Sequence, residues 1–272
     1  MTLDRLPPIR DSLTEHGLTA KKAFGQHFLL DLNITAKIVR FAALPQRARV
    51  IEVGPGPGGL TRALIAAGAQ VVAIEKDTRF LPLLDELAAA ADGRLTVIQA
   101  DALEADETAL AGGEPAHIVS NLPYNVGTPL LIKWLTGPFR PASMTLMFQK
   151  EVAQRIVAAP GSDAYGRLSV ICQAVSSARI VMDLPARAFT PPPKVASAVV
   201  RIEPLPTSPP PALIAALEKL TAAAFGQRRK MLRSSLKSLG GETLCAAAGI
   251  DPSRRAETLS VAEFLSLAER LV

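Results

Sequence analysis

The sequence predicts an α/β fold with a mostly parallel, seven-stranded sheet followed by a small all-α domain. Short β-branched runs alternate with helical patterns rich in Ala and Leu, which is typical of βαβ units and a parallel sheet. Five such runs are expected to be strands, at 49–54, 70–75, 95–100, 117–120 and 143–148. Two further β-rich runs, 179–182 and 198–203, predict an antiparallel hairpin at the sheet edge. Beyond the proline-rich linker 204–211, residues 212–270 show helical periodicity and no strand signal.

Length and composition indicate a folded protein with one large core and a small appendage. The 272 residues are 49% hydrophobic, and no apolar run is long enough to cross a bilayer. We therefore expect a soluble cytoplasmic protein. The scattered histidines and the two cysteines, Cys172 and Cys245, match neither a metal site nor a disulfide framework. A net charge of +5 is mildly basic and raises nucleic acid as a partner.

A glycine-rich turn follows the first of these strands. Gly54, Gly56 and Gly59 match the G-x-G-x-x-G pattern at a strand-to-helix turn, where bare backbone can lie against a nucleotide-like ligand. The alternative is that the glycines only let the helix pack closely on the sheet. The pattern alone does not separate these two interpretations.

The residues around the glycines favour a methyl donor over a dinucleotide. Pro55 and Pro57 remove two backbone N–H donors that a pyrophosphate would use at a helix N-terminus. Glu52 places a carboxylate near the turn, which would repel a phosphate but complement a cation such as the sulfonium of S-adenosylmethionine. The spacing E-x-G-x-G-x-G therefore predicts a methyl-donor site, and it disfavours an NAD-dependent dehydrogenase.

Acidic residues stand at the ends of the next two strands. Because ligands of parallel sheets bind at the carboxyl ends of the strands, both residues are expected to face the ligand. Glu75 can accept hydrogen bonds from two ribose hydroxyls, of NAD or of S-adenosylmethionine; the alternative is a solvated acid paired with Lys76. Asp101 can accept from an adenine amino group, or it can simply N-cap the following helix.

The fourth strand ends in Asn121-Leu-Pro123-Tyr124. The lone pair of an exocyclic amine is delocalised into its ring, so methylating it requires groups that localise that pair. The Asn121 side-chain oxygen and a carbonyl preceding or within the proline turn can accept from the amine, while Tyr124 stacks on the base. The alternative is an Asn-x-Pro turn with a tyrosine in the core.

Two basic segments are candidates for contact with phosphates. Lys21 and Lys22 precede a glycine in a segment that mixes polar side chains with aromatics, which suits a loop that closes over a ligand or contacts phosphates. The alternative there is a capped helix start with Phe24 and Phe28 in the core. Near the C-terminus, cations stand at helical spacings and predict a phosphate-facing surface, although a solvated helix face has the same pattern. These cations are Arg228, Arg229, Lys230, Arg233 and Lys237.

Five segments, taken in their order, resemble the ribosomal RNA adenine N6,N6-dimethyltransferase family. They are Gly25-Gln-His-Phe-Leu29, Glu52-Val-Gly-Pro-Gly56, Asn121-Leu-Pro-Tyr-Asn125, Tyr165-Gly-Arg-Leu-Ser169 and Phe189-Thr-Pro-Pro-Pro-Lys-Val-Ala-Ser197. The resemblance is closest to the bacterial small-subunit (16S) branch of the family, which is linked to kasugamycin sensitivity. It extends from about Lys21 to Arg233, nearly the whole chain.

The resemblance implies a class I (Rossmann-like) methyltransferase fold and an S-adenosylmethionine-dependent enzyme. Residues 1–205 would form the methyltransferase domain, and residues 206–272 a helical RNA-contacting domain. The implied reaction transfers methyl groups to the N6 of two adjacent adenosines in small-subunit (16S) rRNA during ribosome biogenesis. The small ribosomal subunit would be the partner of a monomer that needs neither a metal nor a membrane.

The resemblance also implies the roles of individual residues. The methyl donor would contact His27, Leu29, Gly54, Gly56, Glu75, Asp101 and Asn121. The target adenine would be surrounded by Asn121, Pro123, Tyr124 and Phe189. Phe189, on a stiff loop before three prolines, would be a stacking platform for an extruded base, and its alternative is an ordinary core phenylalanine. The chain departs from the family at His27, where Asn is frequent, and at Ala196, where an acid is frequent.

Two other functions stay open at the level of sequence. One is the large-subunit rRNA adenine methylase that confers antibiotic resistance, which shares the fold and the Asn-x-Pro-Tyr motif. The other is an RNA-binding ribosome assembly factor that keeps the fold but has checking of immature subunits as its main duty.

Overall fold

The structure is a computed structural model that describes residues 3–20, 25–227 and 229–272. Its strands are β1 (Phe28–Leu29), β2 (Arg49–Val53), β3 (Gln70–Glu75), β4 (Leu95–Gln99), β5 (Ala116–Asn121), β6 (Ser143–Gln149), β7 (Ser176–Leu184), β8 (Phe189–Thr190) and β9 (Ser197–Pro204). Its helices are α1 (Ile9–Glu15), α2 (Leu32–Ala42), α3 (Gly59–Ala66), α4 (Leu81–Ala90), α5 (Glu107–Ala111), α6 (Gly127–Thr136), α7 (Lys150–Val157), α8 (Arg167–Val175), α9 (Pro211–Gly226), α10 (Leu232–Ser235), α11 (Gly241–Ala247) and α12 (Val261–Glu269).

The main sheet has seven strands in the order β4-β3-β2-β5-β6-β9-β7. The pairs β3–β4, β2–β3, β2–β5 and β5–β6 are parallel, and β9 runs antiparallel to β6. The predicted mostly parallel seven-stranded sheet is confirmed. From β2 the chain first adds β3 and β4 on one side, and it then continues with β5 and β6 on the other side of β2. Such a switch point leaves a crevice at the carboxyl ends of the strands.

The core of the sheet is apolar on both faces of its central strands. Val50 and Ile51 of β2 and Ile118 of β5 are fully buried, as expected for parallel strands covered by helices on both sides. On α3, Leu64 and Ile65 are also fully buried, and burying each such side chain stabilises the fold by about 1.5–3 kcal/mol. The packing of α3 therefore fixes the turn that connects it to β2.

The three glycines of that turn do two different things. Gly59 opens α3 so close to β1 that a Cβ there would overlap the Leu29 carbonyl oxygen, which is the close helix packing that the sequence left as an alternative. Gly54 and Gly56 have φ values of +67° and +53°, a left-handed conformation that favours glycine. Gly59 therefore allows close packing of α3, whereas Gly54 and Gly56 allow the left-handed backbone conformation of the turn.

The chain divides into two compact units. The first contains residues 1–134, 138–153 and 179–203, and the second contains residues 135–137, 154–178 and 204–272. Residues 154–178 lie within the part that the sequence analysis assigned to the first domain. They belong to the second unit because α8 packs against α9 and α12.

The second unit has an aromatic centre. The Tyr165 ring meets Phe225 edge-on at a centroid distance of 6.2 Å, and Phe225 lies 5.5 Å from Phe264. Helix α12 begins with a capping box in which Ser260 accepts from the Glu263 N–H at 3.2 Å and the Glu263 carboxylate accepts from the Ser260 N–H at 2.7 Å. Within the residues described, no helix is both long and apolar enough to span a bilayer.

The helical spacing of the C-terminal cations does not place them on one helix in the described residues, and the phosphate-facing surface expected from them stays a prediction. Helix α9 ends at Gly226 and α10 begins only at Leu232, so Arg229 and Lys230 lie in the intervening turn. A turn bond from the Lys230 N–H to the Gln227 carbonyl and an isolated bridge between Met231 and Arg255 replace the helical pattern there. Helical spacing along a sequence does not reveal such tertiary pairing.

Candidate active site

A cavity of about 280 Å³ lies at the carboxyl ends of the parallel strands, at the switch point between β3 and β5. Its lining residues fall in 25–29, 52–57, 59–60, 74–77, 100–103 and 121–126. The residues expected to hold the donor, His27, Leu29, Gly54, Gly56, Glu75, Asp101 and Asn121, all line it. Pro123 and Tyr124 line it as well, so residues expected to bind the donor and residues expected to bind the acceptor meet in one space.

Glu75 is held by two backbone N–H groups at the floor of the cavity. Its Oε2 accepts from Gly56 N at 3.0 Å, and its Oε1 accepts from Asp77 N at 2.7 Å. Burial raises the pKa of Glu75, while these two bonds oppose the rise. The residue is 5% exposed and Lys76 pairs elsewhere, so the alternative of a solvated acid paired with Lys76 is wrong. Each carboxylate oxygen retains a further lone pair for a ligand hydroxyl.

Asp101 pairs with Lys76 and shapes the loop that follows β4. Lys76 Nζ lies 2.6 Å from Asp101 Oδ2, and Oδ1 accepts from Leu103 N at 3.0 Å. The hydrogen bond from Lys76 lowers the pKa of Asp101 most, with a smaller part from the Leu103 N–H. The alternative role as the N-cap of the next helix is wrong because Asp106 caps α5, accepting from Thr108 N at 3.0 Å.

Glu52 is the most deeply buried carboxyl group of the cavity. It is 1% exposed, and burial raises its pKa to about 8, with the nearby Glu75 carboxylate adding to the rise. The nearby Thr61 hydroxyl opposes this rise in the pKa. Among the described residues, however, neither Glu52 Oε2 nor Thr61 Oγ1 has a hydrogen-bond partner. A cationic ligand would favour the ionised form of this carboxyl group.

Asn121, at the end of β5, is oriented by the backbone of another segment. Its Nδ2 donates to the His27 carbonyl oxygen at 3.0 Å. This bond directs the amide so that Oδ1, which has no partner in the described part of the chain, is available as an acceptor. Ser120 Oγ donates to the Val53 carbonyl at 2.6 Å and ties this end of β5 to β2.

The proline turn leaves one carbonyl free. The Pro123 carbonyl oxygen accepts from the N–H groups of Val126 and Gly127, both at 3.1 Å, at the start of α6. Across the described residues no donor reaches the Leu122 carbonyl oxygen, and Leu122 lines the cavity. Of the two carbonyls that the sequence allowed as acceptors, the one preceding the proline is therefore the one without a partner.

Tyr124 is in the cavity wall and not in the core, so the alternative of a core tyrosine is wrong. Its hydroxyl lies 2.5 Å from Ser197 Oγ, and its ring centroid lies 5.3 Å from that of His27 at a tilt of 32°. Burial raises the pKa of Tyr124, and the Ser197 hydrogen bond opposes this. His27 Nδ1 is 2.8 Å from the Pro191 carbonyl oxygen.

Phe189 is not brought to the cavity. It pairs with Leu29 across β1 and β8, is 3% exposed, and packs in the apolar core cluster of the first unit. This is the placement of the alternative, a core phenylalanine, because the β1–β8 pairing turns the ring inward. Phe28, which pairs with Thr190, is 7% exposed, as the alternative for residues 21–31 expected, and it also lines the cavity together with Gly25 and His27; Phe24 lies outside the described residues.

Sequence patterns did not single out two residues that shape the site. Ser197 is the last residue of the motif from Phe189 to Ser197, yet nothing in that motif indicates its contact with Tyr124. Lys133 of α6 donates to the carbonyls of Ala102 and Ala105 at 2.9 and 2.6 Å and pairs with Glu107 at 2.8 Å, which holds the loop after Asp101. Only the three-dimensional pairing of distant segments reveals these contacts.

Only some of the residues expected to contact RNA are among the described residues. Lys21, Lys22 and Arg228 lie outside them. Arg229, Lys230 and Arg233, in the second unit, are exposed, and the guanidinium of Arg233 is 3.9 Å from Glu242. No group of three or more metal-binding side chains occurs in the part of the chain that the structure describes.

The fold and the cavity at its switch point together define a class I methyltransferase. A family model described as ribosomal RNA adenine dimethylase matches residues 17–272, and the chain belongs to this family. The predicted resemblance and the predicted fold class are both confirmed.

Similar proteins agree with this family. A protein of Phenylobacterium zucineum named ribosomal RNA small subunit methyltransferase A is 69% identical over 99% of this chain and 94% of its own length. A protein of the same name from Mesorhizobium japonicum is 61% identical over 98% of this chain and 99% of its own.

Two solved structures share the fold. A dimethyladenosine transferase from Plasmodium falciparum superposes with a TM-score of 0.73 at 24% identity, covering 89% of this chain and 96% of that one. The 23S rRNA methyltransferase ErmE superposes with a TM-score of 0.68 at 26% identity, covering 90% and 99%.

Proposed function

We propose that the protein transfers methyl groups from S-adenosyl-L-methionine to the N6 of two adjacent adenosines in small-subunit (16S) rRNA. One observation carries this proposal: buried carboxylates suited to a donor nucleoside and an asparagine suited to an exocyclic amine line the same cavity. The small-subunit target is supported by relatives at 59–69% identity that are named ribosomal RNA small subunit methyltransferase A. The protein would act in the cytoplasm as a monomer.

The cavity fits S-adenosylmethionine chemically. A cation beside the buried Glu52 oxygen without a partner would favour ionisation of that carboxyl group and then be attracted to it, and Glu75 and Asp101 offer acceptors to ribose hydroxyls and an adenine amine. A Cβ at Gly54 would lie 3.4 Å from Pro123, and a Cβ at Gly56 would lie 3.2 Å from the Phe28 ring, so the two glycines keep side chains out of these narrow spaces. When bound, the donor supplies an electrophilic methyl group on a good leaving group, so neither a covalent enzyme intermediate nor a metal is needed.

The residues of this chain then have to position the amine. Asn121 Oδ1 and the Leu122 carbonyl oxygen accept from the N6 hydrogens and favour a more tetrahedral nitrogen with a localised lone pair. Tyr124 stacks on the base and limits its approach. A second transfer requires that the monomethyl product re-enter with its remaining N–H satisfied, and either acceptor can do this.

The exposed cations Arg229, Lys230 and Arg233 would contact phosphates of the rRNA. Among the residues that the structure describes, the carboxylate within ion-pair distance of these cations is that of Glu242, 3.9 Å from Arg233. The sequence places no aromatic residue in the turn that holds Arg229 and Lys230. Contacts of this kind position an RNA without reading its sequence.

The proposal is tested with unmodified small and large ribosomal subunits and isotope-labelled S-adenosylmethionine. We expect label only in small subunits, and digestion of the rRNA should yield N6,N6-dimethyladenosine at two adjacent positions. Label in large subunits would instead identify the antibiotic-resistance type of methylase. Tight subunit binding without label would identify an assembly factor.

A further inference from the structure

The segment from Phe189 to Ser197 keeps its aromatic ring in the core, yet two of its other residues reach the cavity wall. Ser197 Oγ lies 2.5 Å from the Tyr124 hydroxyl, and the Pro191 carbonyl oxygen lies 2.8 Å from His27 Nδ1. The rings of His27 and Tyr124 are themselves in contact, with centroids 5.3 Å apart. The segment therefore holds both rings by their polar atoms.

The contact on His27 has a defined direction. A carbonyl oxygen can only accept, so His27 Nδ1 must carry the hydrogen and donate it to Pro191. This hydrogen bond sets the orientation of the imidazole ring, which lies beside the ring of Tyr124. A centroid distance of 5.3 Å leaves no room for a base between the two rings, because stacking a base between them requires about twice the usual ring separation of roughly 3.5 Å. A base that stacks on Tyr124 must therefore use the ring face turned away from His27.

The contact on Tyr124 is anchored in the sheet. Ser197 is fully buried, and it is the first residue of β9, where it pairs with Gln149 of β6. Tyr124 lies in the turn between β5 and α6, outside regular secondary structure. A hydroxyl fixed in the sheet therefore sets the orientation of a ring whose own backbone is in a turn.

We propose that Ser197 is a positioning residue for methyl transfer, which holds the Tyr124 hydroxyl so that the ring face turned away from His27 keeps one tilt against the target base. This rests on the proposed function, in which Tyr124 stacks on the adenine. The hydroxyl of Tyr124 then holds the ring in place and takes no part in the chemistry. Removing either end of the hydrogen bond must consequently have the same effect, and removing both must add nothing.

A double-mutant cycle tests this coupling. We expect Ser197→Ala and Tyr124→Phe each to slow single-turnover methylation of unmodified small subunits about tenfold at saturating donor, and the double variant to be no slower than either. Ser143→Ala is the matched control, since Ser143 is a 3% exposed serine bonded to His117 at the far end of β6. Its rate should stay within about twofold of the wild type. A double variant slowed by the product of the two single effects would overturn the proposal.

A spectroscopic measurement is independent of methylation. The chain has only two tyrosines, so ring-labelled ¹³C-tyrosine gives two sets of signals, which Tyr124→Phe assigns. Ser197→Ala should shift the Tyr124 signal and leave that of Tyr165 unchanged, and Ser143→Ala should shift neither. An unshifted Tyr124 signal would refute the contact itself. If instead the wild type fails to methylate small subunits while the signal shifts, the proposed function fails and the contact stands.

Discussion

Replacing Glu75 with alanine should weaken S-adenosylmethionine binding by about 1–3 kcal/mol, or roughly 5- to 150-fold in Kd. The carboxylate is almost fully buried and lines the cavity, so a ligand hydroxyl would bond it away from water. The same carboxylate accepts from the backbone of Gly56 at 3.0 Å and of Asp77 at 2.7 Å. The variant therefore loses both a direct acceptor and the bond that shapes the glycine turn.

The assay is calorimetric titration of the folded protein with S-adenosylmethionine. Glu86→Ala is a suitable control, because Glu86 lies on α4 with its side chain 51% exposed and should not change donor affinity. Thermal unfolding without donor measures the loss of the backbone hydrogen bonds separately from the loss of the ligand contact. Glu75→Ala should be less stable by about 1–3 kcal/mol, because two backbone N–H groups lose their acceptor. Affinity for small subunits should barely change. A folded Glu75→Ala protein with wild-type donor affinity would remove Glu75 from the donor site.

Two further predictions concern pH and salt. The pKa of Glu52 is raised from 4.5 to about 8, so between these values the folded protein holds a proton that the unfolded chain has lost. The free energy of unfolding should therefore fall as pH rises through this window, by up to about 1.4 kcal/mol per pH unit, and Glu52→Gln should flatten the decline measured by denaturant unfolding. Affinity for small subunits should fall as salt rises, and the steepness of log affinity against log salt reports the number of phosphate contacts. The steepness should decrease by about three, since each lost contact removes roughly 0.7–0.9, when four cations are neutralised together: Arg228, Arg229, Lys230 and Arg233.

Each of these two measurements has a clear contrary result. An equally steep pH dependence in Glu52→Gln would show that another group binds the proton. For the salt experiment the control is Lys219→Gln, an exposed lysine on α9, which should leave the slope nearly unchanged. An unaltered slope in the fourfold variant would mean that those cations form only a solvated surface.

The residues at strand ends were predictable because parallel strands bring their carboxyl ends to one edge. Glu75 and Asn121 end recognisable strands and Asp101 comes just after one, so their convergence needs no knowledge of exact packing. The alternation of strands and helices likewise predicted the sheet, since local β-branched runs and helical periodicity are properties of short segments.

The contacts that orient these residues were not predictable in the same way. The Tyr124–Ser197 bond joins residues 73 positions apart, and the burial of Phe189 depends on a two-residue pairing with β1. Such pairings are set by the tertiary arrangement of loops, which local propensity does not encode. The break between α9 and α10 is of the same kind, because the bridge from Met231 to Arg255 competes with continued helix.

The claim that one cavity binds the donor and aligns the amine is tested most directly at Asn121. Asn121→Ala removes the acceptor Oδ1 and the bond to the His27 carbonyl, so single-turnover methylation of unmodified small subunits should slow about a hundredfold or more. The measurement is made at saturating S-adenosylmethionine, because Asn121 is also expected to contact the donor, and subunit affinity should remain near that of the wild type. A near-wild-type rate under these conditions would contradict the assignment of Asn121 to the chemical step.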